Sequence, residues 1–105
     1  MKNLTLILCL LLSAQVWSAD ITQDNIQGAW AIISMAGMPD EEGDMWEFEG
    51  NQFYQNLGGR RISPDPFVVK DNVIDLGYYQ IKVLEFTGKT MKADMAGFVY
   101  ELKKK

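Results

Sequence analysis

Histidine is absent from the 105 residues, and the single cysteine, Cys9, lies in the apolar run near the N-terminus. That composition removes the usual general base, the thiol nucleophile and the common transition-metal ligands from everything downstream. Chemistry would have to rest on carboxylates, hydroxyls, guanidinium groups and aromatic rings. Asp40, Glu41, Glu42 and Asp44 share one polar stretch, without the apolar setting that separates the pKa values of a catalytic pair. They also lack the alternate spacing of a calcium-binding loop. They read as a solvated acidic loop, and Ser63, Asp65 and Asp75 have no histidine with which to build a triad. No catalytic residue, metal ligand or cofactor is assigned. Gly58-Gly59 followed by Arg60 and Arg61 lacks the spacing and context of a phosphate-binding loop. A weak site, two guanidinium groups at a barrel mouth facing an anion, is set against a plain surface turn. The remaining candidates are soft and aromatic: Trp46, Phe48, Phe53, Tyr79, Met91 and Tyr100. Such side chains make adaptable apolar walls for a small ligand, and at strand spacing they serve as ordinary core.

The elements that position these residues are strands. Windows of period two recur along the chain, broken by Gly, Asn and Asp at short spacing, and no sustained 3.6-residue period competes with them. The expected strands cover 28–35, 44–49, 52–57, 67–70, 73–76, 78–87, 90–95 and 98–102. Residues 20–27, with Ile21 and Ile26, suit a lead-in turn that covers one end of a barrel. The stretch 36–43 reads as a loop, and 60–66, with two prolines that lack a ladder donor, reads as the longest ordered loop. Between Val83 and Leu84 the apolar parity changes, which predicts either a bulge or a segment apolar on both faces. Trp46 and Phe48 face inward on their strand, Met91, Ala93 and Met95 on theirs, and Phe98, Tyr100 and Leu102 on the last. Short hairpin connections throughout make this an all-β domain, a small antiparallel meander barrel of about eight short strands.

Met1-Lys2-Asn3 followed by the apolar run Leu4–Leu12 has the pattern of a signal peptide, too short to span a membrane as a helix. Leu8 before Cys9 argues against a lipidation site. The domain boundaries are therefore a leader over 1–19 and a single domain over 20–105. Of the charged side chains, that leader contains Lys2 alone, so its removal moves the net charge from −4 to −5. An acidic domain without a basic face is not a nucleic-acid binder. Lys103-Lys104-Lys105 reads as a solvated, frayed end. An outer-membrane barrel needs longer strands with an apolar outer face, whereas Glu47, Lys70, Lys92 and Glu101 face out here. Without disulfides the core alone must hold so short a chain, and dimerisation through edge strands would help it.

The succession Ile26-Gln27-Gly28-Ala29-Trp30, then Trp46-Glu47-Phe48-Glu49-Gly50-Asn51-Gln52-Phe53, then Asp71-Asn72-Val73-Ile74-Asp75-Leu76 and Tyr79–Met91 resembles the bacterial lipocalin-like domains, short members of the calycin group. The resemblance implies that Trp30 sits at the closed end of the barrel beneath an arginine of the last strand. Here that strand offers Lys103 to Lys105. It also implies binding without catalysis. The expectation is a periplasmic or secreted protein that sequesters a small apolar or amphipathic ligand. The alternative is a cell-envelope protein-binding module, an inhibitor or immunity-type protein with a filled core. Such a module would use an edge strand, the acidic Met38–Asp44 loop, or an apolar patch around Met45, Tyr54 or Tyr78.

Overall fold

The computed structural model describes residues 19–62 and 64–105; the leader reading and Cys9 lie outside the described residues. Eleven strand segments form one curled antiparallel sheet, a half-barrel, and no helix occurs among the described residues. The long strands are β1 (Gly28–Met35), β3 (Met45–Glu49), β4 (Gln52–Leu57), β9 (Gln80–Phe86), β10 (Thr90–Met95) and β11 (Phe98–Lys104). The short ones are β2 (Met38–Pro39), β5 (Arg60–Arg61), β6 (Asp65–Pro66), β7 (Val68–Lys70) and β8 (Val73–Asp75). Hydrogen-bonded neighbours run β5–β4–β3–β1–β11–β10–β9–β8–β7, so the first long strand pairs with the last.

Eight strands were expected, and the three additional segments all arise where loops were expected. The 36–43 stretch folds back as β2, pairing Met38 with Met35 and Pro39 with Ser34. The 60–66 stretch lies along β4 as two short segments, Asn56 opposite Arg61 and Phe53 opposite Asp65. Proline is tolerated there because β5 and β6 pair on one side only, leaving the missing N–H donors at an edge. β6 bonds to β4, and β7 bonds to β8 with Phe67 alone between them. One bent segment therefore ties strands near both sheet edges, with the Phe67 amide donating to the Asn51 carbonyl at 3.0 Å.

Register follows the turns. Asp71 and Asn72 hold φ of 52° and 62°, the left-handed pair that a two-residue hairpin of this twist requires. The expected bulge is present: Lys92 opposes Glu85 and Ala93 opposes Val83, so Leu84 is the extra residue and is pushed outward, 47% exposed. A second irregularity, at Ile33, displaces that side chain outward in the same way.

The far end of the sheet is covered by residues 19–27. Ile21 and Ile26 are buried beneath it, and four contacts fasten the segment down. The Ala19 amide donates to the Phe86 carbonyl (2.8 Å), and the Ile21 amide to Asn72 Oδ1 (2.9 Å). The Gln27 side chain donates to the Gly50 carbonyl (2.8 Å) and accepts from its amide (2.7 Å). Trp30, with no exposed surface, donates its Nε1–H to the Ile26 carbonyl at 2.9 Å. Lys104 is not frayed: it pairs with Trp30 across β1 and β11, its Nζ donates to the Gln27 carbonyl at 2.8 Å and lies 5.3 Å from the Trp30 ring centroid. The glycine before this tryptophan has a physical reason. Gly28 sits at φ 110°, and a Cβ there would come within 3.3 Å of the Lys104 stem.

Candidate binding site at the open end

Opposite this closed end, the strands finish in a mouth. β1 delivers Met35, which pairs with Tyr100 on β11, and Met38 lies beside Met35 on β2. Phe98 pairs with Met95, which pairs in turn with Ile81. Leu57 closes β4, and the Ile62 amide donates to the Gln55 carbonyl of the same strand. Phe98 was expected inside and is 51% exposed: it shares a row with the buried Met95, but the β1–β11 pairing ends at Met35 and Tyr100, so no β1 residue covers its other side.

Below the mouth the interior is filled. Trp46, Phe48 and Phe53 each keep 1% of their surface accessible to water, and Met91 keeps 3%. Trp46 packs edge-on against Phe53 at 5.9 Å and against Tyr100 at 4.9 Å between ring centroids. Phe48 bridges Phe53 (5.2 Å) and Phe67 (5.3 Å). A ring that water cannot reach borders no void large enough for a ligand, so Trp46, Phe48 and Phe53 are packed as core, and Met91 packs in the same cluster. Tyr79 and Tyr100 differ: both are half-buried against the core and lie toward the mouth. Burial pushes the Tyr100 hydroxyl pKa up, and the neighbouring Tyr79 and Asp44 add to the rise. Recesses on the surface lie away from Trp46, Phe48 and Phe53, and Met91 contributes to the wall of the first. One of about 340 Å³ is lined by Ile33, Glu85, Lys92 and Glu101, and another of about 330 Å³ by Pro66, Phe67, Val68 and Leu76.

The two arginines do not act as a pair. Arg61 lies against the Tyr54 ring at 3.6 Å, its Nε bonded to Glu47 (2.9 Å) and a terminal nitrogen to Glu49 (3.0 Å). Asn56 completes this patch by donating to Glu47 at 2.8 Å. Glu47 and Glu49 are the outward residues of β3, so Arg61 is held on the outer face of the sheet; Arg60 is exposed. The acidic loop is ordered by its own carboxylates: Asp40 accepts from the Asp44 amide (3.2 Å), and Asp44 from the Gly58 amide (3.0 Å). No group of three or more Asp or Glu side chains is placed to hold a metal ion among the described residues.

Comparison with known proteins finds no matching family model, no matching curated protein and no matching solved structure. The site must therefore be read from its own geometry. Of the three patches expected to be exposed, Met45 is half-buried and Tyr54 is covered by Arg61, while Tyr78 is 66% exposed beside Tyr79. Sequence reasoning did not name Met35, Leu57 or Ile62 as site residues, and it placed Phe98 in the core. A pattern of alternation marks which face a residue takes, and it does not mark where along the strand the core stops.

Tyr78 also clasps the seam between the sheet edges. Its hydroxyl donates to Asp65 Oδ2 at 2.9 Å, and this bond to the neutral form, followed by partial desolvation, pushes its pKa up to about 12. A folded-state pKa above the ordinary value of 10.0 means the bond contributes fully below pH 10 and is lost as pH rises toward 12. Ultraviolet difference titration is expected to show a late tyrosinate step that disappears in Tyr78→Phe and moves back toward pH 10 in Asp65→Asn. A Tyr78 step unchanged by Asp65→Asn would remove the clasp.

Proposed function

We propose that this chain is an exported, lipocalin-like binding module of the cell envelope, which acts without catalysis and docks on another polypeptide through its open end. One contrast carries the reading: the interior is closed to water, while Met35, Met38, Leu57, Ile62, Tyr78 and Phe98 remain 39 to 69% exposed at the mouth. Apolar side chains left in water together at one end of a small domain, as Met35 and Met38 are, mark an interaction surface. The Gly28-Ala29-Trp30 opening and the basic residue lying over Trp30 support the lipocalin-like assignment, with Lys104 in the expected arginine's place. The absence of histidine from the sequence supports a role without chemistry.

A small apolar guest is the second reading, favoured by one observation: the half-buried rings of Tyr79 and Tyr100 reach the mouth and could seat it there. Native mass spectrometry on protein taken from its own envelope fraction separates the two. The docking reading expects a complex with a polypeptide that is lost in Met38→Ser/Phe98→Ser, a variant whose exposed substitutions leave the core untouched. A reproducible small excess mass that vanishes in Tyr79→Ala, with no polypeptide bound, would establish the second reading and sink the first.

A further inference from the structure

We propose that the segment received by the open end is cationic and amphipathic, with lysine or arginine side chains flanking its apolar ones. This rests on the docking reading above and adds the chemistry of the partner. The observation is an acidic margin beside the apolar rim. Beside the open end stand the four carboxylates of residues 40–44, and Asp75, which accepts from the Gly77 amide, ends β8. Arg60 is the counter-charge at this end, since Arg61 is held by Glu47 and Glu49. At the closed end Lys70, Lys89, Lys103, Lys104 and Lys105 stand among the carboxylates of Asp20, Asp24, Glu49 and Asp71, so no comparable excess of one sign forms there.

The acidic groups lie beside the apolar rim and are tied to it. The loop hangs from Met38 through the Asp40 amide, which donates to the Ile33 carbonyl at 3.0 Å, and Asp44 docks on Gly58, the residue after Leu57. Carboxylates around apolar side chains repel an acidic partner and raise the association rate of a basic one. The exposed Tyr78 ring, with Tyr79 and Tyr100 below it, adds faces on which an ammonium or guanidinium group is favoured. An apolar rim alone would accept any apolar segment; with this charge it selects among them.

The test uses three synthetic peptides and isothermal calorimetry on the purified protein at low and high salt: an amphipathic Lys–Leu peptide, its Glu–Leu counterpart, and a Lys–Ser peptide of equal positive charge. The expected result is that Lys–Leu binds at least tenfold tighter than either of the others, and that salt weakens it. Glu41→Gln/Glu42→Gln, two exposed positions, is expected to weaken it about threefold to tenfold at low salt. Equal binding of Lys–Leu and Glu–Leu, both lost in Met38→Ser/Phe98→Ser, would overturn the charge selection and leave the docking surface standing. Equal binding of Lys–Leu and Lys–Ser would overturn the amphipathic requirement. Lys–Leu binding that is indifferent to Met38→Ser/Phe98→Ser, or no binding at all, would overturn the proposal, and in the first case the mouth as the docking surface too.

Discussion

Trp30→Ala is expected to leave the domain unfolded, or nearly so, at ambient temperature. Truncating a fully buried tryptophan costs about 3 to 5 kcal/mol in lost burial and residual cavity. The loss spreads beyond the ring. The Ile26 carbonyl loses the Nε1–H donor at 2.9 Å, and Lys104 loses the ring face beneath its ammonium group. The lead-in turn carries the buried Ile21 and Ile26, so detaching it exposes two further core residues. A domain of this length has a total stability of about 4 to 13 kcal/mol, and no described disulfide supplements it. Trp30→Phe separates the parts: it keeps most of the apolar area and removes the hydrogen bond, for an expected cost of about 1 to 2 kcal/mol. Lys104→Met keeps the stem that Gly28 makes room for and removes the charge, for a similar cost. Urea unfolding followed by tryptophan fluorescence measures all three. A Trp30→Ala midpoint close to that of the parent would mean that the closed end is an appendage and that the fold is held by the mouth-side aromatics.

What the sequence made legible follows from how each signal is written. The all-β class, the long strand positions, the Leu84 bulge and the inward set Trp46, Phe48, Met91, Ala93 and Met95 are local statements, set by alternation within a few residues. The Asp71-Asn72 hairpin is local as well, since both residues accept positive φ. Pairings over long separations were hidden. Nothing near Arg60 says that residues 60–66 will lie against β4, because an edge segment needs no donor from its prolines and leaves no periodic trace. Lys104 looked like a solvated tail because its partners, Trp30 and the Gln27 carbonyl, lie more than 70 residues away. The candidate ligand wall divides on the same principle. Composition names large, soft side chains, and only packing decides whether they meet one another, as Trp46, Phe48 and Phe53 do, or face an opening, as Tyr79 and Tyr100 do.

Trp46→Ala is expected to convert the filled core into a receptive one. Trp46 is a buried ring packed between Phe53 and Tyr100, and its removal costs about 3 to 5 kcal/mol. The residual space is walled by aromatic side chains, and an apolar cavity of this kind stays dry and takes up an apolar guest. Indole, the lost side chain in free form, is therefore expected to stabilise the variant in proportion to its saturation. At a concentration a hundredfold above its dissociation constant the gain is about 2.7 kcal/mol, which restores much of what truncation removed. The parent is the control that carries the functional argument. With its rings closed to water, it has no place for indole, and its unfolding midpoint is expected to stay fixed across the same titration. Equal stabilisation of the parent would mean that a cavity already opens beneath the rim. Sequestration of a small apolar molecule would then displace docking on a polypeptide as the better account of this domain.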